Sequence, residues 1–237
     1  MAEKQVTTAT VVEPEKDVVE KAKDFWSRFS KPIIYVGSAL ILLIGGWLGY
    51  KSFVKEPNEA KAAELLFPAE SIFDKMTQTG FSKDSINMVL NGGNGITSGV
   101  LKVASNYGST DAGKRAHFIA GACYLNNKDF NNAIKHLKDF STDATQVQAA
   151  AYILLGDAYS ELKKNDDALE YYKKAANVNA KDEFMTPEAL YKAGLFAETI
   201  GKTKEAIEFF QKIKNDYPKS SHAAEMDKYL ARLGEVK

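Results

Sequence analysis

The sequence holds one cysteine, Cys123, in 237 residues. No intramolecular disulfide can form, so a disulfide-stapled fold is excluded and cysteine usage leaves the redox compartment open. An excess of charge is missing too, since 31 Lys and Arg balance 31 Asp and Glu. The first 55 residues carry eight basic and six acidic side chains; the other 23 basic and 25 acidic ones leave the rest of the chain at −2. Nothing there attracts a polyanion, so nucleic-acid binding has no electrostatic basis.

Chemistry-bearing constellations are equally scarce. His117, His136 and His222 show no H-x-x-x-H spacing and no Cys partner, so no metal site is expected. His117 is expected in a packing slot and His136 at the surface. Gly92, Gly93, Gly95 and Gly99 have no following Lys-Ser/Thr and no preceding strand, which makes them a turn between helices rather than a phosphate loop. Cys123 lacks a His, Asn or Asp constellation and reads as a structural thiol. Asp166 and Asp167 follow Asn165 at a helix start, where capping and the helix dipole explain them. No enzyme and no cofactor or small-molecule substrate follows from these residues.

One long apolar run is present. Ile33 to Tyr50 is 18 residues without a charge. As a helix it spans about 27 Å, close to a bilayer core. Pro32 suits a helix start, Phe53 and Val54 extend the run past a snorkelling Lys51, and Tyr35, Trp47 and Tyr50 sit near the ends like an aromatic belt. The run begins too late and continues too long for a cleaved signal peptide, and no small-x-small site follows it. A buried core helix fits poorly, because the run is apolar all round. The expectation is an uncleaved span over 32–54. Gly45 and Gly49 form a GxxxG pair on which another membrane helix can pack. Lys21, Lys23, Arg28 and Lys31 precede the span, against Lys51, Lys55 and Lys61 after it. Four against three is a weak positive-inside bias toward a cytoplasmic N-terminus. Before the span, residues 1–17 read as a disordered tail. Residues 18–31, with Val18, Ala22, Phe25 and Phe29 on one face, read as an amphipathic juxtamembrane helix.

The rest of the chain repeats at about 35 residues. One copy contains Tyr152, Leu155, Gly156 and Tyr159, followed by Ala168, Tyr172 and Ala175. An upstream copy places Gly121, Tyr124, Ala133 and Leu137 in the same slots, and a downstream one Leu190, Gly194, Ala206, Phe210 and Pro218. This pattern resembles the tetratricopeptide (TPR) repeat, a pair of helices whose small residues allow a close crossing. The fold class is therefore all-α: a single N-terminal transmembrane helix followed by a TPR-type α-solenoid. Residues 113–218 are expected to hold three repeats and 219–237 a C-terminal capping helix. Residues 55–112 form a degenerate first repeat or an unrelated capping subdomain, in which Pro68 should kink or break the first helix.

Function then rests on surfaces. The repeat phase puts Arg115, Phe118, Ala122 and Leu125 on the inner side of the first clear copy. It puts Ile153, Asp157, Ser160 and Glu161 on the second, and Glu188, Tyr191, Leu195 and Glu198 on the third. TPR domains that grip a C-terminal carboxylate use Lys and Asn there. Phe118, Ile153 and Tyr191 argue instead for a groove meeting apolar or extended segments, unless some of them bury against the first helix.

The tail, span and about four TPR-like repeats are together similar to the ancillary SecYEG translocon subunit family. The local likeness rests on Gly121, Tyr152, Gly156, Ala168, Gly194 and Ala206. The resemblance covers the whole chain and departs at the glycine-rich stretch and Pro68. It implies a bacterial inner-membrane protein with a cytoplasmic N-terminus and a periplasmic TPR domain. Its implied partners are the SecYEG translocon and a membrane-anchored periplasmic chaperone of the prolyl isomerase type. A scaffold for another envelope secretion or division complex, or a receptor facing the cytosol, fits the same residues.

Overall fold

Alternating apolar and polar stretches of helical period, with few prolines to interrupt them, lead to an all-helical chain. A computed structural model describes residues 14–93, 95 and 97–235; among these there is no strand. Contacts divide the chain into two units, 1–56 and 57–237.

The first unit is built on one helix, α1, Pro14–Tyr50. The amphipathic stretch and the apolar span are thus not separate helices. Pro32 lies inside α1 rather than at a start. A proline there removes one backbone hydrogen bond and crowds the preceding turn, but a 37-residue helix retains the bonds on both sides. The helix already includes Pro14–Asp17, so that part of the expected disordered tail is helical; residues 1–13 lie outside the described residues. No side chain of the apolar span is buried: Ile41, Leu42 and Leu43 are each at least 70% exposed. After Tyr50, residues Lys51–Lys55 widen into a π-helical turn. Lys51 holds its ammonium over the Trp47 ring, 5.7 Å from its centre, and 4.0 Å from Glu56.

The second unit begins in α2, Glu56–Thr79. Its stripe Ala62, Leu66, Ala69, Phe73 and Met76 is buried at helical spacing. Of the kink or break expected at Pro68, the break does not occur: the helix runs through it. The stripe is continuous on either side of Pro68, so tertiary burial outweighs the lost hydrogen bond. Two shorter helices follow, α3 (Lys83–Asn91) and α4 (Val100–Tyr107). They and α2 share one core with α5, Asp111–Asn126. The Glu59 carboxylate of α2 accepts hydrogen bonds from the Asp111 and Ala112 amides at 2.7 and 2.9 Å. Those are two of the donors a helix start leaves without partners, so α2 caps α5 across 52 residues of chain.

From α5 onward the helices come in pairs. α5 packs on α6 (Phe130–Asp139), α7 (Thr145–Glu161) on α8 (Asn165–Asn177), and α9 (Met185–Thr199) on α10 (Thr203–Asp216). Each pair closes on a glycine. A methyl group at Gly121 would meet the Leu137 side chain at 2.5 Å, and one at Gly156 would meet the Tyr172 ring at 2.5 Å; Gly194 faces the Phe210 ring in the same way. The turn joining each pair repeats as well. Lys128, Lys163 and Gly201 all have left-handed backbones, with φ of 63°, 57° and 78°. Each lies seven positions after its repeat's glycine. A short helix, α11 (Met226–Arg232), closes the series with Met226, Tyr229 and Leu230 buried. A second core runs from α6 to α11, and Phe118 and Leu154 pack against both cores.

The glycine contacts make a direct prediction. Gly156→Ala gains about 1 kcal/mol of helix propensity. It also forces the ring of Tyr172, itself 4% exposed, out of place, and overpacking of this kind costs about 1–3 kcal/mol. Urea unfolding of the full chain in micelles, followed by circular dichroism, should show a net loss of stability. A gain would show that the crossing is looser than it stands here.

Candidate functional site

Inner-face residues of the paired helices are the candidate contacts, and the packing decides which of them a partner can reach. Arg115 and Phe118, one turn apart on α5, do line an open cavity. The Phe118 ring leans on Phe140, centroids 5.2 Å apart, and Arg115 donates to Glu70 of α2 at 3.0 Å. Ala122 is buried, and Leu125 is half-buried one turn further on.

On α7 the expectation changes most. Ile153 is 6% exposed and belongs to the core, so it offers a partner nothing. Asp157 is already bound: it accepts from the Tyr172 hydroxyl at 2.7 Å, and the Lys192 ammonium reaches its two oxygens at 3.0 and 3.1 Å. It ties α7, α8 and α9 together, and burial with this carboxylate alongside pushes the Tyr172 hydroxyl far above the ordinary phenol range. Ser160 bonds the Asp157 carbonyl, and Glu161 is exposed at the helix end.

On α9 the inner face is covered by the end of the chain. Glu188 bonds His222 at 2.7 Å, the Tyr191 ring stacks on His222 with centroids 4.2 Å apart, and the Tyr191 and Tyr229 hydroxyls are 2.6 Å apart. Glu198 accepts from Arg232. Leu195 is half-buried against the core. These residues hold the C-terminal cap instead of facing a free groove.

The cavity beside Phe118 is walled by residues the repeat phase does not point to. Phe73, Glu70 and Asp74 of α2 form one side, and Ile119, Phe140, Thr142, Ala144 and Val147 complete it, around about 300 Å³. A polar recess of about 410 Å³ lined by Asp111, Lys114, Ser141 and Asp143 adjoins it, sharing Arg115, Phe140 and Thr142. One signal was readable in the sequence: Phe67 falls off the apolar stripe of α2, and it is 70% exposed.

Two histidines meet within the helical packing. His136, expected at the surface, is half-buried, with its Nδ1 3.2 Å from Nδ1 of His117. Among the described residues no three His, Cys, Asp or Glu side chains form a metal-binding group. Burial, above all, holds both imidazoles below the ordinary histidine pKa; Lys135 pushes the same way and Asp139 opposes. With folded-state pKa values depressed, the stabilisation is complete above about pH 6.5 and is lost as pH falls through the folded values. The melting temperature of the full chain should therefore fall from pH 7 to pH 5, less steeply in His136→Gln. An equal slope in that variant would show that the pair does not carry the effect. Cys123 is fully buried, which pushes its thiol up to about 12 and keeps it protonated.

At Gly45 and Gly49 an added methyl group would meet nothing within 4 Å, so that face of α1 is open. One N-terminal helix is long and apolar enough to cross a membrane.

An exposed apolar helix followed by stacked helix pairs, each closed on a glycine, defines a helical-repeat scaffold. The chain belongs to the tetratricopeptide repeat-like domain family, whose pattern matches residues 23–224. Domains of this kind mediate protein–protein interactions and are generally non-catalytic. No curated protein matches the chain.

Proposed function

We propose that the chain is a membrane-anchored TPR adaptor at the Sec translocon, helping to hand exported proteins to periplasmic chaperones. The observation that carries the reading is an apolar helix with none of its side chains buried, placed ahead of a TPR-like unit on one chain. Such a helix in water would expose its whole surface, and a bilayer removes that cost. The span docks beside the translocon, with Gly45 and Gly49 as its helix-packing face. The repeat domain then recruits a membrane-anchored chaperone of the prolyl isomerase type. The weak positive-inside bias and the likeness to the ancillary translocon subunits support a cytoplasmic N-terminus and a periplasmic repeat domain in a bacterial inner membrane.

Affinity purification of the full chain in mild detergent, read by mass spectrometry, tests this. Translocon and prolyl isomerase-type subunits are expected in the eluate. Recovery of neither, with the bait intact, sinks the translocon assignment.

A further inference from the structure

The cavity beside Phe118 has a chemistry that selects its occupant. Its floor is apolar and built from core residues: Phe73 is 9% exposed, Ile119 3% and Phe140 6%. Packing fixes these side chains, so the concavity is preformed. Val147, 42% exposed, stands at one wall. Phe67 precedes Glu70 by one turn of α2 and Asp74 by two, which puts it on the same side of the helix as both rim carboxylates. Single exposed apolar residues are ordinary, and this one stands outside the lining, one turn of α2 before Glu70. The volume, about 300 Å³, lies at the lower end for ligand pockets and suits one or two inserted side chains.

The charges around it are unequal. Of the lining residues, Glu70 is paired with Arg115 at 3.0 Å, and Lys114 stands 4.0 Å from Asp111. Among the described residues Asp74 and Asp143 have no ion-pair partner. Four carboxylates against two cations leave this rim at −2.

We propose that the cleft between α2, α5 and the start of α7 docks a peptide segment of a partner protein, one carrying a large apolar side chain next to lysine or arginine. The apolar side chain enters between Phe73, Phe118 and Val147, and the cation lies toward Asp74 or Asp143. This rests on the reading of the chain as a protein-recruiting scaffold and names the kind of segment it takes. Apolar burial supplies affinity, while the rim carboxylates disfavour acidic competitors.

The test is selection of a random peptide library, displayed on phage, against the full chain in neutral phosphatidylcholine nanodiscs with empty nanodiscs in excess. Enriched peptides should combine a large aliphatic or aromatic residue with Lys or Arg within a few positions. Val147→Asp should abolish their binding, and Asp74→Lys should weaken it about tenfold. Both positions are exposed. An aspartate in the first turn of α7 favours the helix, and an unchanged melting temperature confirms folding. No enrichment, enrichment of acidic peptides, or equal binding to both variants overturns the proposal. So does a full-chain dimer that Val147→Asp dissociates, since a second copy is then the occupant. If translocon subunits still co-purify while peptide selection fails, this site alone is wrong; loss of both counts against the adaptor reading itself.

Discussion

Replacing Phe210 by alanine is expected to lower the stability of the repeat domain by about 3–5 kcal/mol. Phe210 is fully buried on α10. Its ring covers the space that Gly194 leaves on α9 and stacks on Tyr229 of the cap, centroids 5.1 Å apart. Truncation opens a cavity at a point where three helices meet, and the surrounding backbone cannot close it without moving two helices. Tyr229 would lose its support, and with it the hydroxyl contact to Tyr191 that holds the cap over α9. Domains of this kind have total stabilities of only about 5–15 kcal/mol, so much of the fold's margin is at stake. Urea unfolding of the full chain in micelles should show a large drop in midpoint. Phe209→Ala, at a half-buried neighbour, should cost much less. Similar losses at both positions would mean that the glycine–ring contact does not organise the α9–α10 pair.

The second large effect concerns the proposed anchor. Ile41→Arg with Leu42→Arg places two guanidinium groups at the middle of the charge-free run. Each costs about 2.5–3.5 kcal/mol at a helix centre on insertion scales, so together about 5–7 kcal/mol. That is enough to shift insertion from nearly complete to nearly absent. Carbonate washing of membranes should leave the unmodified chain in the pellet and release or deplete the double variant. Retention of both alike would show that the run does not hold the chain in the bilayer. Residues 57–237 carry their own cores, so the variant's repeat domain should keep its melting transition.

Much of the fold was legible because the repeats carry local, periodic signals. Gly121, Gly156 and Gly194 marked the close crossings, and the ring or leucine each faces lies sixteen positions on, at Leu137, Tyr172 and Phe210. The contacts that the sequence hid are long-range or break a local rule. Nothing local announces that Glu59 will cap α5, or that a helix will run through Pro68 because its buried stripe continues on both sides. Ile153 departs from the repeat-phase expectation because α7 packs against α5, α6, α8 and α9. A helix covered on several sides has no single apolar face, so periodicity gives little phase information. Tyr191 and Glu198 lie on α9, but the cap that covers them comes from a segment whose docking cannot be deduced from repeat spacing. The same blindness hid the candidate cleft, because half of its wall belongs to α2, outside the clear repeats, and to the turn before α7.

In the proposed function, one chain holds a protein-binding repeat surface at a membrane. The most direct measurement places a photocrosslinking amino acid at Val147 of the full chain in intact cells, with and without the Ile41→Arg and Leu42→Arg pair. A discrete protein adduct from the membrane fraction is expected, and it should disappear when the anchor is disabled. An adduct that forms equally well without the anchor, or no adduct from a properly inserted chain, would contradict it.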